Sequence, residues 1–533
     1  MQLKHGFTRA AAVAALMLGT SPMALMAETP ADTLVIADAI DDIVSIDPAE
    51  AFEFSGVDMN NNVYDTLVEL DPAKPGELVP GLAESWSVAE DGMTYTFKIK
   101  SGITFSSGNP LTAEDAAGSL RRVVKLNKTP AFILTQFGLT PENVDQMITF
   151  EGDTVTLKTD KAYAPSFVYN CLTAGVANIV DMKTVMANEV EGDMGNAWLK
   201  ANSAGTGAYV LKSFKPNEGY VLEAREGHWR GDAKIKTVFM QHIPEGATQR
   251  LLLEKGDIDI AREMTPTDIE GISGNADLKV QSDVGGQVYY LALNQKKEEL
   301  ANPKVQEAMR WAIDYTGMQD SILKGQWVVH QNFLPKGFLG AIDENPYSLD
   351  IDKAKALMAE SGLTLPIEIG FTVRNNQERL DIATSIQNTF AQVGINLVMD
   401  VGDGKQGLET YRGRKHDITL QTWGPDYPDP HTNASTFALN PDNSDAANAT
   451  GYLAWRTAWD PGAELNAETN AAVEEKDSAK RAEMYADIQR KVRDNSAFVL
   501  MFQQARQDAM RANVTGFYAG GATDSASYWT VTK

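Results

Sequence analysis

The chain offers few side chains spaced for covalent or hydrolytic chemistry. Its six histidines never fall in a His-Glu-x-x-His arrangement, which would set two imidazoles on one helix face around zinc. No Gly-x-Ser-x-Gly elbow presents a serine nucleophile. Ser321-Ile322-Leu323-Lys324 has the Ser-x-x-Lys spacing in which an amine activates a hydroxyl, but the Ser-Asp-Asn and Lys-Thr-Gly companions are missing. Two fixed positions in four arise by chance in most chains of this length. No Gly-x-x-x-x-Gly-Lys loop cradles phosphates, so any nucleotide hydrolysis belongs to another polypeptide. Cys171 is the single cysteine, set in the apolar run FVYNCLTAGVANIV. One thiol builds neither a disulfide nor a metal site, and this setting predicts a buried, inert group. The residue types therefore predict a protein that performs no catalysis and calls for no cofactor; a secreted hydrolase is a remote alternative.

The elements that would position a binding site mix helix and strand signals without repeats. TYTFKI (94–99) alternates, with Tyr95, Phe97 and Ile99 on one face of a half-buried strand. Thr112 and Asp115 form a capping box ahead of SLRRVV. Residues 208–224 predict two strands around a Pro-Asn-Glu-Gly turn. The strand VYYLALN precedes Asn302-Pro303, which opens a helix carrying Val305, Met309, Ala312 and Ile313 on one face. The C-terminal half alternates regularly. A helix at 353–361 stops at Gly362, a strand follows around IEIGFTV, and a helix striped with Leu380, Ala383, Ile386, Phe390 and Val393 ends at Gly394 before INLVMDV. That order predicts an α/β sandwich.

The N-terminus predicts export. Lys4 and Arg9 precede the apolar residues 10–19, and Leu-Met-Ala precedes Glu28. This is the layout of a signal peptide over 1–27, cut after Ala27, with too short an apolar run to span a bilayer. No cysteine near the cut offers a lipid attachment site, so a periplasmic form without a lipid anchor is expected. About 506 residues remain, enough for two or three domains. The formal charge of −25 becomes −27 without Lys4 and Arg9. That balance opposes nucleic acid and anionic membranes as partners and serves solubility.

Six stretches in order resemble the family 5 extracellular solute-binding proteins. They are GLAESWSVAEDGMTYTFKIKSGITFSSGNPLTAEDAAGSLRR (81–122), GTGAYVLKSFKPNEGYVLEAREGHWRG (205–231), LLLEKGDIDIA (251–261), LALNQKKEELANPKVQEAMRWAID (291–314), LDIDKAKALMAESG (349–362) and WGPDYPDP (423–430). The resemblance implies a two-lobed periplasmic-binding-protein fold of the type II, cluster C-like kind, with a hinge and an additional inserted domain. Lobe I would comprise 28–72, 203–288 and 508–533, the extra domain 73–202, and lobe II 289–507. The hinge crossings would lie near VYYLALN and FVLMFQQARQDAM. Implied partners are a small ligand, the permease of an ABC importer and its ATPase subunits, with the binding protein itself a monomer.

The same resemblance implies the site. In peptide-binding members a Trp followed three residues later by an Asp lies on the second lobe, and the Asp meets the ligand's α-ammonium. Trp423 and Asp426 have that spacing. A carboxylate in a dry cleft is unfavourable unless it meets a cation, although an Asp before Tyr-Pro also caps turns. Arg374 lies near where dipeptide binders hold the ligand carboxylate, and Phe52, Phe54 and Ser55 fall where relatives line the cleft. His431 sits as in the nickel-chelate branch, but residues 439–450 lack that branch's further histidine, so no metal is expected. Short peptides are the first ligand expectation. Opine-like amines or acids come second, then sugars and nickel chelates; a receptor that feeds only a chemosensor stays open.

Overall fold

Two long strands, Leu278–Leu293 and Phe498–Arg511, organise the chain. They pair antiparallel from Leu278 opposite Arg511 to Ala292 opposite Phe498. Their 16 and 14 residues far exceed the common length of about 5–6. The sequence accounts for this. VYYLAL and FVLMF are continuous apolar runs suited to burial on both faces, and polar stretches carry the ladder onward. The register slips between Val284 and Val288, where Gly285 and Gly286 stand. This computed structural model describes residues 29–71, 77–520, 523 and 526–533; the expected signal segment 1–27 lies outside them.

The two strands sit in the middle of an eleven-stranded mixed sheet and belong to both of its halves. On one side Ile260–Ala261, Thr33–Asp38 and Thr237–His242 follow, the last two parallel, then Gly219–Ala224 and Tyr209–Lys215 antiparallel around the expected turn. On the other side Ile418–Trp423 pairs antiparallel with Leu278–Leu293, and Ile367–Arg374 and Ile395–Gly402 extend the sheet in parallel. Each half has its own buried cluster, one around Ile36, Tyr209 and Val238, the other around Leu291, Ile369 and Phe390. The result is two lobes whose sheet is continuous only through the two long strands.

A third unit rests against the first lobe. It is a four-stranded antiparallel sheet in the order Ala83–Val88, Thr94–Ile99, Thr154–Lys158 and Ile148–Glu151. Tyr95, Phe97 and Ile99 are buried against the helix Ala113–Leu126. That helix opens on the Thr112/Asp115 capping box, both reciprocal bonds being present. Arg122, 1% exposed, donates Nη1 to Asp47 Oδ1 at 2.8 Å and Nη2 to Oδ2, tying this unit to the first lobe. Cys171 is fully buried here, and burial drives its thiol pKa well up. No helix among the described residues is long and apolar enough to cross a membrane.

Candidate functional site: the chamber between the lobes

The lobes face each other across a cavity walled from three directions. The first lobe contributes Asp42, Phe52, Glu53 and Phe54, and the four-stranded unit contributes Ile133 and Thr173–Val176. Arg412, Trp423, Asp426 and Arg456 come from the second lobe, with Tyr290 from a long strand. A second cavity on the hinge side shares Asp42, Phe54, Arg374, Arg379 and Thr422 with the first.

Asp426 is positioned by its loop. Trp423 ends the strand Ile418–Trp423, and Gly424-Pro425 carry the chain off the sheet. The Asp426 backbone N–H donates to Thr432 Oγ1 at 2.9 Å. Beyond it Asp429 accepts two bonds from Arg481, at 2.9 and 2.8 Å, and one from the His431 N–H at 2.9 Å. The loop is thus held from behind while the Asp426 carboxyl faces the cavity. Its Oδ2 is buried and has no hydrogen-bond partner in the protein. Burial raises the carboxyl to about 8, against the Thr432 hydroxyl and the Arg456 guanidinium, which pull it down. Such a group is poised to ionise when a cation arrives.

The aromatic residues form a wall beside it. Trp423 is 7% exposed and meets Phe52 edge-on at 5.5 Å, and Phe52 meets Phe132 at 5.7 Å. Phe54, the first residue of the helix Phe54–Val63, borders both cavities. Ser55 lines only the hinge-side cavity, and its hydroxyl donates to the Ala39 carbonyl at 3.4 Å.

Arg374 also borders the chamber, but its guanidinium reaches across the cleft. Nε donates to Asp41 Oδ1 at 3.0 Å, and Nη2 donates to Asp41 and, at 3.0 Å, to the Ala39 carbonyl. The Gly404 N–H donates to Asp41 Oδ2 at 2.7 Å and the Lys405 N–H to the Asp41 carbonyl at 3.0 Å. Burial pushes the Asp41 carboxyl up, but Arg374 and Gly404 outweigh it and hold the group below its usual range. Two of its three donor nitrogens, Nε and Nη2, are therefore engaged in a bond between lobes. His431 packs against Phe167 at 5.5 Å, with Nδ1 3.2 Å from the Tyr485 hydroxyl. Burial lowers its imidazole to about 3, so it is neutral. Among the described residues no group of three His, Cys, Asp or Glu is placed to hold a metal. Ser321 donates to the Gly317 carbonyl and Lys324 is exposed, an arrangement of a helix end.

A family model described as bacterial extracellular solute-binding proteins, family 5 Middle, matches residues 77–445 of the 533. The chain belongs to this family. Among its relatives is the probable D,D-dipeptide-binding periplasmic protein DdpA of Escherichia coli (strain K12), 28% identical over 94% of both chains. The dipeptide-binding protein of the same organism is 24% identical over 85% of this chain and 86% of its own. The solved structure of the Helicobacter pylori ABC transporter-associated periplasmic binding protein DppA, in complex with the peptide STSA, superposes with a TM-score of 0.84. It is 21% identical over 94% of this chain and 98% of that one, so this likeness speaks for the two-lobed fold.

Sequence reasoning missed several residues that this solute-binding protein brings to the chamber. Asp42 has a buried Oδ1 without a partner, and burial raises its carboxyl to about 6. Arg412 donates Nη1 to Glu53 Oε1 at 2.8 Å, a second bond between lobes. Arg456, within LAWRTAW, is 2% exposed, and its Nη2 has no partner. No local signal marks these residues, because each owes its character to what the fold brings around it.

Proposed function

We propose that this solute-binding protein captures short peptides with a free amino terminus between its lobes and presents them to the permease of an ABC importer. The observation that carries the reading is the buried, unpartnered Oδ2 of Asp426, facing a chamber walled by Trp423, Phe52 and Phe54. A peptide ammonium would supply the cation that this carboxylate requires, giving a charge-assisted bond in a water-poor site. The names of the relatives support the ligand class, since two of them are dipeptide-binding proteins. Ser55 and Arg374 serve this reading at one remove, the first at the hinge-side cavity and the second as a clasp between the lobes.

Export by the segment 1–27, action as a periplasmic monomer without a lipid anchor, and partnership with a permease and its ATPase subunits belong to the same proposal. So do the boundaries of lobe I (28–72, 203–288 and 508–533), the extra domain (73–202) and lobe II (289–507), and the absence of catalysis. The sharing of the two long strands between both sheet halves supports these boundaries. A non-peptide amine of opine type is the second reading, because Asp426 would serve it equally. Mass spectrometry of what denaturation releases from protein taken from its native periplasm separates them. A set of short peptides is expected, and a single non-peptide compound overturns the peptide reading while leaving solute capture intact.

A further inference from the structure

We infer that Arg456 takes the carboxylate of the ligand, so that the chamber selects a compact zwitterion with both charges held on the second lobe. The inference rests on the reading that Asp426 receives the ligand's ammonium.

Arg456 closes the short helix Leu453–Arg456 and is almost wholly buried. Its Nε donates to the Thr450 carbonyl at 2.7 Å, which fixes the plane of the guanidinium. The guanidinium carbon stands 5.2 Å from the Tyr411 ring and 5.8 Å from the Trp423 ring. Nη2 points at no acceptor in the protein. The other arginines of the chamber are committed. Arg374 holds Asp41, Arg412 holds Glu53 and Arg230 holds Asp65. Arg379 donates to the Leu420 carbonyl and the Thr422 hydroxyl. No carboxylate among the described residues lies within ion-pair distance of Arg456, so a buried cation faces the cavity without an anion. That is costly unless the anion comes from outside. Burial, with Arg412 nearby, lowers its pKa to about 10, consistent with an unmet charge.

Three polar atoms without partners thus line one stretch of wall: Asp426 Oδ2, Trp423 Nε1 and Arg456 Nη2. Arg456 is close enough to pull the Asp426 carboxyl down, yet the two form no ion pair. An acceptor for an ammonium and two donors for a carboxylate, all on the second lobe, suit a ligand that carries both charges. A planar guanidinium also meets carboxylate geometry two-pronged.

The test uses the full mature protein, stripped by unfolding and refolding, and a dipeptide library in which each residue type precedes or follows Ala. Calorimetry on the tightest binder is repeated with its C-terminal amide and its N-acetyl form. Both changes are expected to weaken binding at least about thirtyfold in the native protein. In Arg456→Met the penalty for the amide should vanish while that for acetylation stays; in Asp426→Asn the pattern should reverse. An amide penalty undiminished in Arg456→Met overturns the assignment and leaves ammonium capture standing. No acetylation penalty in the native protein, or no binder in the library, overturns the reading on which it rests. If the Met variant fails to fold, Arg456→Lys keeps the charge without the two-pronged donor. It should lose about tenfold or more on the acid and nothing on the amide; equal losses on both overturn the assignment.

Discussion

Asp426 is built to be uncomfortable alone. Burial raises its carboxyl to about 8, against 3.8 for a free aspartate, because desolvation outweighs what the Thr432 hydroxyl and the Arg456 guanidinium recover. A raised carboxyl favours the protonated fold, so its cost to stability is absent below about pH 4 and grows as the pH rises towards 8. Asp426→Asn is therefore expected to melt above the ligand-free native protein at pH 7.5 and level with it at pH 4. Melting curves at the two pH values check this, and a variant less stable at pH 7.5 refutes it. The same linkage governs capture. An ammonium that ionises Asp426 displaces one proton, so affinity for a free-amine peptide should rise about tenfold per pH unit between pH 5 and 7.5. Calorimetry in buffers of different ionisation enthalpy counts that proton. In Asp426→Asn the slope should disappear and the affinity fall by roughly 2–5 kcal/mol. Of the chamber's residues, Trp423, Asp426, Phe52 and Phe54 were expected from the family resemblance of the sequence. Arg456 was not, since a cation is recognised as unmatched only when the fold has shown which anions reach it.

At the scale of elements, much of the architecture is written locally. Thr112 and Asp115 close their capping box, Pro303 opens the helix Pro303–Trp311, and Gly362 and Gly394 follow helix ends with φ of +76° and +84°. The lengths of the two long strands were less legible. Their polar halves, QSDVGGQ and QQARQD, lack the apolar pattern that betrays a strand, and only pairing with each other makes them one. The bond that docks the four-stranded unit was also hidden, because Asp47 and Arg122 lie far apart in the chain. Both are buried, so removing one leaves the other charge unpaired. Arg122→Met is expected to cost about 3–5 kcal/mol in urea unfolding, and a loss under 1 kcal/mol would show the pair to be dispensable. Gly207 makes a second local demand. A Cβ there would lie 2.5 Å from the Val63 carbonyl carbon and 2.7 Å from the Asn62 oxygen, at the end of the helix Phe54–Val63. Gly207→Ala should accordingly lose about 1–3 kcal/mol.

For the whole molecule, the contacts between lobes decide how far it closes. The Asp41 carboxylate receives Arg374 and the Gly404 amide, its backbone carbonyl receives the Lys405 amide, and Glu53 receives Arg412; in each case the acceptor stands on one lobe and the donors on the other. These bonds exist only when the lobes meet, so they bias the equilibrium towards the closed form. Arg374→Gln is expected to enlarge the radius of gyration of the ligand-free protein in solution scattering and to weaken peptide binding about tenfold. An unchanged profile would mean that Arg374 has no part in closure.

The joint itself has a consequence for what the surroundings can sense. Two strands laced side by side by hydrogen bonds resist sliding, since sliding breaks the ladder, whereas the register slip between Val284 and Val288 interrupts that ladder and gives a bend its natural place. Mechanically this is a flexure rather than a pair of loose tethers, with one soft direction and several stiff ones. Whatever side chains a captured solute carries, its presence is translated into a single quantity legible from outside: an angle.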